Sequence, residues 1–464
     1  MNNKNTNIET NKKVFRFVSS VVLVAVLATL FGVMWYLRLQ NLMNPYTRFM
    51  GKGNYLMIGL YGVLTILVIN TFKGFSIGSG RISILTMSQA IAMGLVNGLE
   101  FIIIILMTRI KALMWMTLGY IIVLTLVDAV AVLAVTFVST KVYRMIFPPF
   151  TILNIFGQYE NDLVIKMNRR GDKYRITGEM SCRESLEKIT KELENYDAVL
   201  INDVPSEIRN DIVKACFATD KRVYFTPKIS DILIKGSEEV NLFDTPLYLC
   251  KNVGMDGISS AIKRMGDILI SSIGIILTSP IMLVTAILIH NYDGGPVFYK
   301  QTRCTIGGKE YKIMKFRSMI TDAEKDGKAR LASVNDDRIT PIGHFIRATR
   351  IDELPQFFNI FKGEMSVVGP RPERPEIIAE YVKEVPEFAF RTHVKAGLTG
   401  YAQVYGKYNT TSYDKLKLDM IYCEKCSVLL DIQLILMTLR VIFTKDATEG
   451  VEEGATDANV RKTH

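Results

Sequence analysis

The sequence predicts a membrane protein in three parts: an N-terminal four-helix transmembrane bundle, a parallel α/β domain, and a C-terminal, mostly α domain carrying a re-entrant membrane helix. Three observations predict it. Four long apolar runs open the chain at roughly 14–38, 54–72, 83–108 and 113–139, each near or above the ~20 residues a helix needs to cross a bilayer. Short β-rich runs then alternate with helix-like stretches over 150–250. A fifth apolar run, Ile268 to Ile289, is interrupted at Ser279-Pro280 and is followed by a strongly charged half.

Composition narrows the partners. The chain has 464 residues, 49% of them hydrophobic, and a formal net charge of +10. A basic balance suits nucleic acid, anionic lipid or a phosphorylated substrate. No RNA- or DNA-binding signature is present, so no nucleic acid is expected and lipid and phosphate lead. The six cysteines are scattered, and the single Cys423-x-x-Cys426 has no second pair nearby, so ordinary reduced thiols are expected. With four histidines, one of them His464 in the tail, a histidine-based mechanism is not expected.

Residues 1–13 are polar and basic and read as disordered. Four transmembrane helices occupy 14–145. Glu100 and Asp128 lie inside the third and fourth runs, where an ionisable group is a functional hint; the plainer reading is a position near an interface or pairing within the bundle. Lys12, Lys13, Arg16, Lys73, Arg81, Lys141 and Arg144 flank one side, against Arg38, Arg48, Lys52, Arg109 and Lys111 on the other. That bias places the N-terminus inside and returns the chain to the cytoplasm after four spans.

Residues 146–252 form the next domain. Thr151–Phe156, Lys173–Ile176, Ala198–Asp203 and Arg222–Phe225 read as strands in the βαβ rhythm of a parallel sheet. A dinucleotide-binding fold would follow its first strand with Gly-x-Gly-x-x-Gly. Here Gly157 stands alone before Gln158, Tyr159 and Glu160, so the pyrophosphate has no close approach to the backbone. The domain reads as a degenerate Rossmann-like fold without a dinucleotide, its role open between regulation, dimerisation and another ligand.

The fifth run, 265–290, is long enough to span. Proline at its middle removes a helix hydrogen bond and crowds the preceding turn. A crossing here would also put the charged half outside, away from activated sugar and nucleotide donors. A helix that breaks at Ser279 and Pro280 and returns to the same face resolves both points, with Thr278 or Ser279 serving the freed carbonyls; a plain proline-kinked span is the alternative. Beyond it, Val297–Gln301 and Glu310–Lys315 predict a hairpin across Gly307-Gly308. Ile342–Phe361 has a helical apolar pattern ended in part by Pro355, and Asp431–Phe443 reads as an interfacial helix. The tail 446–464 is polar and reads as disordered.

Asp352 and Glu353 stand side by side between Arg347 and Arg350 upstream and Arg371 downstream. Adjacent carboxylates repel, so one stays protonated unless a cation or metal compensates. Arg371, between Pro370 and Pro372, is a rigid candidate for bidentate phosphate binding. Lys315 and Arg317 lie on a strand-like run where alternate side chains share a face. Acid chemistry on a phosphate beside a membrane gives this arrangement a reason; a solvated acidic helix start with arginine partners is the plainer alternative.

These residues, and others in order around them, resemble the bacterial sugar transferase family, the monotopic phosphoglycosyl transferases. The resemblance covers roughly 260–445. It includes Lys263-Arg264-x-x-Asp267, Ser279-Pro280 and Lys315-Phe-Arg-Ser-Met319. Asp337-Arg338-Ile-Thr340, Gly343, Arg347 and Asp352-Glu353-Leu-Pro-Gln356 follow. Asn359, Lys362-Gly363, Met365-Ser366, Gly369-Pro-Arg-Pro372 and Gly397-Leu-Thr-Gly400-x-Ala-Gln403 complete it. The departures are Ala396, Tyr401, Tyr405 and Cys426, none at the acidic pair. The spans and α/β domain in front are similar to the large-chain subgroup that initiates exopolysaccharide, capsule or O-antigen synthesis.

The resemblance implies an undecaprenyl-phosphate glycosyl-1-phosphate transferase at the cytoplasmic face of the bacterial inner membrane. It would move a sugar-1-phosphate from a UDP-sugar to undecaprenyl phosphate and release UMP. Asp352 would be the nucleophile, passing through a covalent phosphosugar intermediate, and Glu353 would orient the metal or acceptor or take a proton. Magnesium is implied, held in part by Asp352. Arg371, Lys315, Arg317, Arg303, Arg338 and Arg347 are the expected phosphate and substrate contacts, and Thr399 and Gln403 a nucleotide loop. Membrane lipids and a second copy of the chain are expected partners. A non-catalytic membrane scaffold is the alternative reading; the acidic pair with Arg371 argues against it.

Overall fold

The computed structural model describes residues 4–43, 52–78, 80, 82–107, 113–157, 163–250, 254–321, 336, 338–406 and 410–442. Arg48, Arg81, Arg109, Lys111, Gln158, Tyr159, Glu160, Asp337, Phe443 and the tail 446–464 lie outside the described residues. The chain divides into two compact units, Met1–Thr226 and Pro227–His464. The boundary falls inside the 146–252 span expected for the α/β domain.

The first unit opens with α1 (Lys4–Met34), which continues through a π-helical turn (Trp35–Leu39) into α2 (Gln40–Met43). Then come α3 (Lys52–Thr71), α4 (Ile82–Met107) and α5 (Met114–Ile146). Ile8–Leu42, α3, α4 and α5 are each long and apolar enough to cross a membrane. Their buried residues recur at helical spacing, as with Met57, Tyr61, Thr65 and Ile69 of α3. The seam between them is partly polar. Tyr61 Oη lies 3.0 Å from both Asn97 Oδ1 and Asp128 Oδ2, and Asn97 Nδ2 donates to Asp128 Oδ2 at 2.9 Å. Asp128 is therefore partnered by residues of α3 and α4, the pairing that the plainer reading expects. Glu100 is fully buried, and its oxygens have no hydrogen-bond partner among the described residues.

Four parallel strands follow: β1 (Phe150–Phe156), β2 (Tyr174–Ser181), β3 (Ala198–Asn202) and β4 (Arg222–Phe225), in the order β2-β1-β3-β4. Between them run α6 (Leu163–Asn168), α7 (Leu186–Leu193) and α8 (Ser206–Ala218). β3 is buried along its whole length, as a parallel strand covered on both faces must be. Leu153, Ile155, Val199 and Ile201 join one core, while Ile152, Ala198 and Leu200 join the other, following the two-residue alternation of a strand. The strand order reverses between β1 and β3, where such sheets hold their ligands. Gly157 leaves β1 there, and a Cβ on it would stand 2.0 Å from the Asp203 carbonyl oxygen. This glycine serves a close approach of two backbone segments.

Residues 4–13, expected to be disordered, are instead the first turns of α1. The reason is charge and aromatic contact. Glu9 pairs with Arg222 of β4, and Lys12 Nζ lies 3.7 Å from the ring centroid of Phe150 at the start of β1.

The second unit begins with α9 (Ile229–Lys235) and the antiparallel pair β5 (Glu238–Leu242) and β6 (Thr245–Leu249). α9 buries Ile229 and Ile232 against Val385, Phe388, Leu416 and Met420. α10 (Gly257–Asp293) is the fifth helix apolar and long enough to cross a membrane. It runs through Pro280 as one element, where a break is expected from the sequence. Proline lacks the N–H that would serve the Ile276 carbonyl. The Ser279 hydroxyl donates to that carbonyl at 2.8 Å, so the helix persists.

Both ends of α10 are tied to this unit. Near its start, Lys263 pairs with Asp431 and donates to Val368 O at 3.0 Å. Arg264 donates to Ile360 O and Phe361 O, each at 2.8 Å. Asp267 accepts from Ser366 Oγ at 3.0 Å and Val367 N at 2.9 Å. At its end, Asp293 pairs with Arg317. The Lys-Arg-x-x-Asp spacing thus places a staple at each position. Beyond α10, β7 (Phe298–Cys304) and β8 (Glu310–Phe316) form the expected hairpin, with Gly307 and Gly308 in the left-handed region at φ 65° and 74°.

Candidate active site

The acidic pair stands where a helical pattern is interrupted. α11 (Pro341–Ala348) starts on a Thr340 cap, whose hydroxyl accepts from Gly343 N at 2.9 Å. The helix pattern over Ile342–Phe361 does not continue as one helix. Arg350 takes φ 59°, a conformation an L-residue adopts at a cost, and turns the chain into a single 3-10 turn, Ile351–Glu353. Pro355 then starts α12 (Gln356–Lys362), which ends at Gly363 with φ 87°. Asp352 and Glu353 therefore lie on a tight turn, where neighbours point about 120° apart. Asn359 anchors α12 to β8, accepting from Met314 N and donating to Lys312 O, both at 2.9 Å.

Two cations converge on one oxygen. Lys315 Nζ and Arg371 Nη2 each donate to Glu353 Oε1 at 3.1 Å, and Arg350 Nη1 is 4.0 Å from it. Only 14% of the Glu353 side chain is exposed, whereas 46% of Arg371 is. The carboxylate forms the floor and the guanidinium faces outward. Burial alone would push Glu353 up, but Lys315, Arg371 and Arg350 outweigh it and hold its carboxyl well below the usual range. Asp352 goes the other way. Burial and the adjacent Glu353 anion push it above the usual aspartate value, against the pull of Lys315, Arg350 and Arg347. The repulsion read from the sequence is thus resolved unequally: Glu353 keeps its charge, and Asp352 bears the cost.

The other expected cations divide. Arg317 does not join Lys315 on one face, because β8 ends at Phe316 and the chain turns. Its N donates to Val297 O at 2.9 Å and its guanidinium pairs with Asp293. Arg338 is held by Asp336, with Nε–Oδ1 at 2.8 Å. Arg303 donates to Gln301 Oε1 at 2.7 Å and lies 3.6 Å from Glu373. Arg347 is half-buried and acts on Asp352 through space. The acids Asp293, Asp336 and Glu373 were missed from the sequence. Only Asp336, two residues before Arg338, carries a local signal of its partner.

β9 (Ser366–Val368) and β10 (Gly397–Thr399) pair in parallel beside the Pro-Arg-Pro loop. Thr399 Oγ1 lies 2.7 Å from Thr438 Oγ1, and Gln403 Nε2 donates to Leu398 O at 3.3 Å. Both expected nucleotide-loop residues thus have contacts within the fold, while the buried Gln403 Oε1 lacks a hydrogen-bond partner among the described residues. Ser279 and Pro280 lie exposed on α10, while Ile275 and Met282 on either side of them share a core cluster with Ile351 and Leu354 of the acidic turn. No group of three or more metal-ligating side chains is present among the described residues.

Comparison with known proteins matches residues 258–445 to the bacterial sugar transferase family. A UDP-glucose:undecaprenyl-phosphate glucose-1-phosphate transferase of Klebsiella pneumoniae is 35% identical over 260 residues, 55% of this chain and 54% of that protein. A UDP-N-acetylgalactosamine-undecaprenyl-phosphate N-acetylgalactosaminephosphotransferase of Aeromonas hydrophila is 36% identical over 264 residues, 54% of this chain and 59% of that protein. The chain spans about half the length of these two relatives. A UDP-glucose:undecaprenyl-phosphate glucose-1-phosphate transferase of Caulobacter vibrioides is 35% identical over 190 residues, 40% of this chain and 70% of that protein.

Proposed function

This chain belongs to the bacterial sugar transferase family, and on that premise we propose that it transfers a sugar-1-phosphate from a UDP-sugar to undecaprenyl phosphate. The observation that carries the reading is the unequal acidic turn, with Glu353 fixed as an anion by Lys315 and Arg371 and Asp352 left beside it. An Asp352 oxygen attacks the phosphorus that bears the sugar. An Asp–O–P bond forms, the bond to the other phosphate breaks, and UMP leaves with the electron pair. A phosphate oxygen of undecaprenyl phosphate then attacks the same phosphorus and releases the Asp352 carboxylate. Splitting the transfer this way is covalent catalysis by a carboxylate. The difficulty is an anion attacking a diphosphate. Arg371, outward-facing and braced on Glu353, offers a planar fork for those phosphate oxygens, and Lys315 adds charge beneath.

Asp352 also fits magnesium as one hard oxygen ligand among several, since this ion is commonly held by one or two carboxylates plus substrate phosphates. Bound there, magnesium would neutralise diphosphate charge. We further propose that α10 bends at Ser279-Pro280 and returns to the face it enters, that the four N-terminal helices form a transmembrane bundle, and that the catalytic unit faces the cytoplasm at the inner membrane. The chain would then catalyse the first membrane step of a surface polysaccharide and act as a homodimer.

The test is UMP release by purified protein in nanodiscs, screened over UDP-sugars with undecaprenyl phosphate and magnesium. Lipid-dependent UMP from one donor, lost in Asp352→Asn, is the expected result, with a phosphosugar mass adduct on wild-type protein given donor alone. Equal release by wild type and Asp352→Asn removes Asp352 as nucleophile.

A further inference from the structure

Arg371 is carried by a loop whose backbone is gripped from four places. Gly397 N donates to Pro370 O at 2.9 Å, Arg391 Nη2 to Arg371 O at 2.9 Å, Arg303 Nη1 to Pro372 O at 3.2 Å, and Cys304 N to Glu373 O at 3.0 Å. Pro370 and Pro372 have no N–H to give, so donors must come to the carbonyls. Two of these donors are arginine side chains, and they grip the loop at Arg371 and at Pro372.

Arg391 is the more deeply set. It lies on the 3-10 stretch Pro386–His393, with 7% of its side chain exposed. It is 2.8 Å from Asp419 Oδ2, itself 1% exposed on α13 (Ser412–Lys425), and 3.6 Å from Glu373 Oε1. A buried ion pair is weak evidence for stability, since well-packed apolar residues of similar volume often do as well. Packing α13 therefore does not by itself require this arginine. What an apolar residue would lack is the bond to Arg371 O.

We propose that Arg391, seated on Asp419, is a positioning residue for Arg371. It fixes the backbone from which the guanidinium reaches over Glu353 toward the donor phosphates. The proposal rests on the sugar-phosphate transfer reading, in which Arg371 meets those phosphates.

The test is a double-mutant cycle on the full chain in nanodiscs, reading single-turnover UMP release as kcat/KM for the UDP-sugar. Arg391→Gln alone lowers it by about 100-fold, the order expected when a group is misplaced by about an ångström. In an Arg371→Ala background the same substitution lowers it by less than about 3-fold, because the thing positioned is gone. A merely structural role gives equal losses in both backgrounds, and that result overturns the proposal, as does an undiminished Arg391→Gln rate. Thermal melting reports whether each variant folds. If Arg391→Gln does not, Arg391→Gln paired with Asp419→Asn removes the charge imbalance and enters the same cycle. Undiminished release by Asp352→Asn would sink the reaction first, and Arg391 with it. Release lost in Asp352→Asn with a multiplicative cycle sinks Arg391 alone.

Discussion

At the residue scale, Asp352 and Glu353 share a turn but not an environment. Glu353 stays ionised throughout the neutral and mildly acidic range, so the acidic limb of the rate belongs to Asp352. In the proposed reaction only the Asp352 carboxylate attacks, and burial and Glu353 raise the pH at which it forms. Nucleoside monophosphate release therefore falls as pH drops through a value above that of an ordinary aspartate. Glu353→Gln removes one raising influence, so its limb moves to lower pH. Lys315→Met removes a compensating cation, so its limb moves to higher pH. Profiles of kcat/KM against pH for the three proteins check both signs; three coincident limbs would refute the assignment. The pairing of acids with arginines was legible in the sequence here because both lie within one short stretch. The partners of Arg317 and Arg303 were not, since Asp293 and Glu373 reach them only through the fold.

At the scale of elements, α10 shows how much a motif can hide. Its apolar run and its proline were plain in the sequence, but Lys263, Arg264 and Asp267 gave no hint of where they reach. In the fold each reaches a different neighbour. Lys263→Met would leave Asp431 buried without its cation, at a cost of about 3–5 kcal/mol. Gly363→Ala forces an alanine into φ 87° with its Cβ 3.1 Å from the Arg264 guanidinium, costing ~1–2 kcal/mol for the backbone alone. Melting temperatures in nanodiscs should fall for both, further for Lys263→Met; unchanged melting would show that these staples carry little. The four parallel strands were legible because β-branched and aromatic runs recur at strand length. The split of α11 from α12 was not, because the apolar period continues through Arg350 while its backbone does not.

At the scale of the whole molecule, the proposed return of α10 sets which side each part faces. Single cysteines at Ser260 and Tyr292, near the two ends of α10, decide it. A returning helix leaves both reactive toward an impermeant maleimide from the same side of oriented vesicles. Labelling from opposite sides would show a crossing helix and displace the catalytic unit from the cytoplasm. The overall plan of spans, sheet and charged half was readable from hydropathy and strand rhythm, since both are long-range repeats. The helical start of the chain was not: residues 4–13 are polar, and Glu9 and Lys12 meeting Arg222 and Phe150 give them a reason to fold that lies far along the chain. That contact has a mechanical meaning. α1 is a single shaft from Lys4 to Met34, keyed near one end to the rim of the sheet and packed along the rest of its length among the apolar helices. One unbroken helix thus ties β1 and β4 to the apolar helices, with no loop in between.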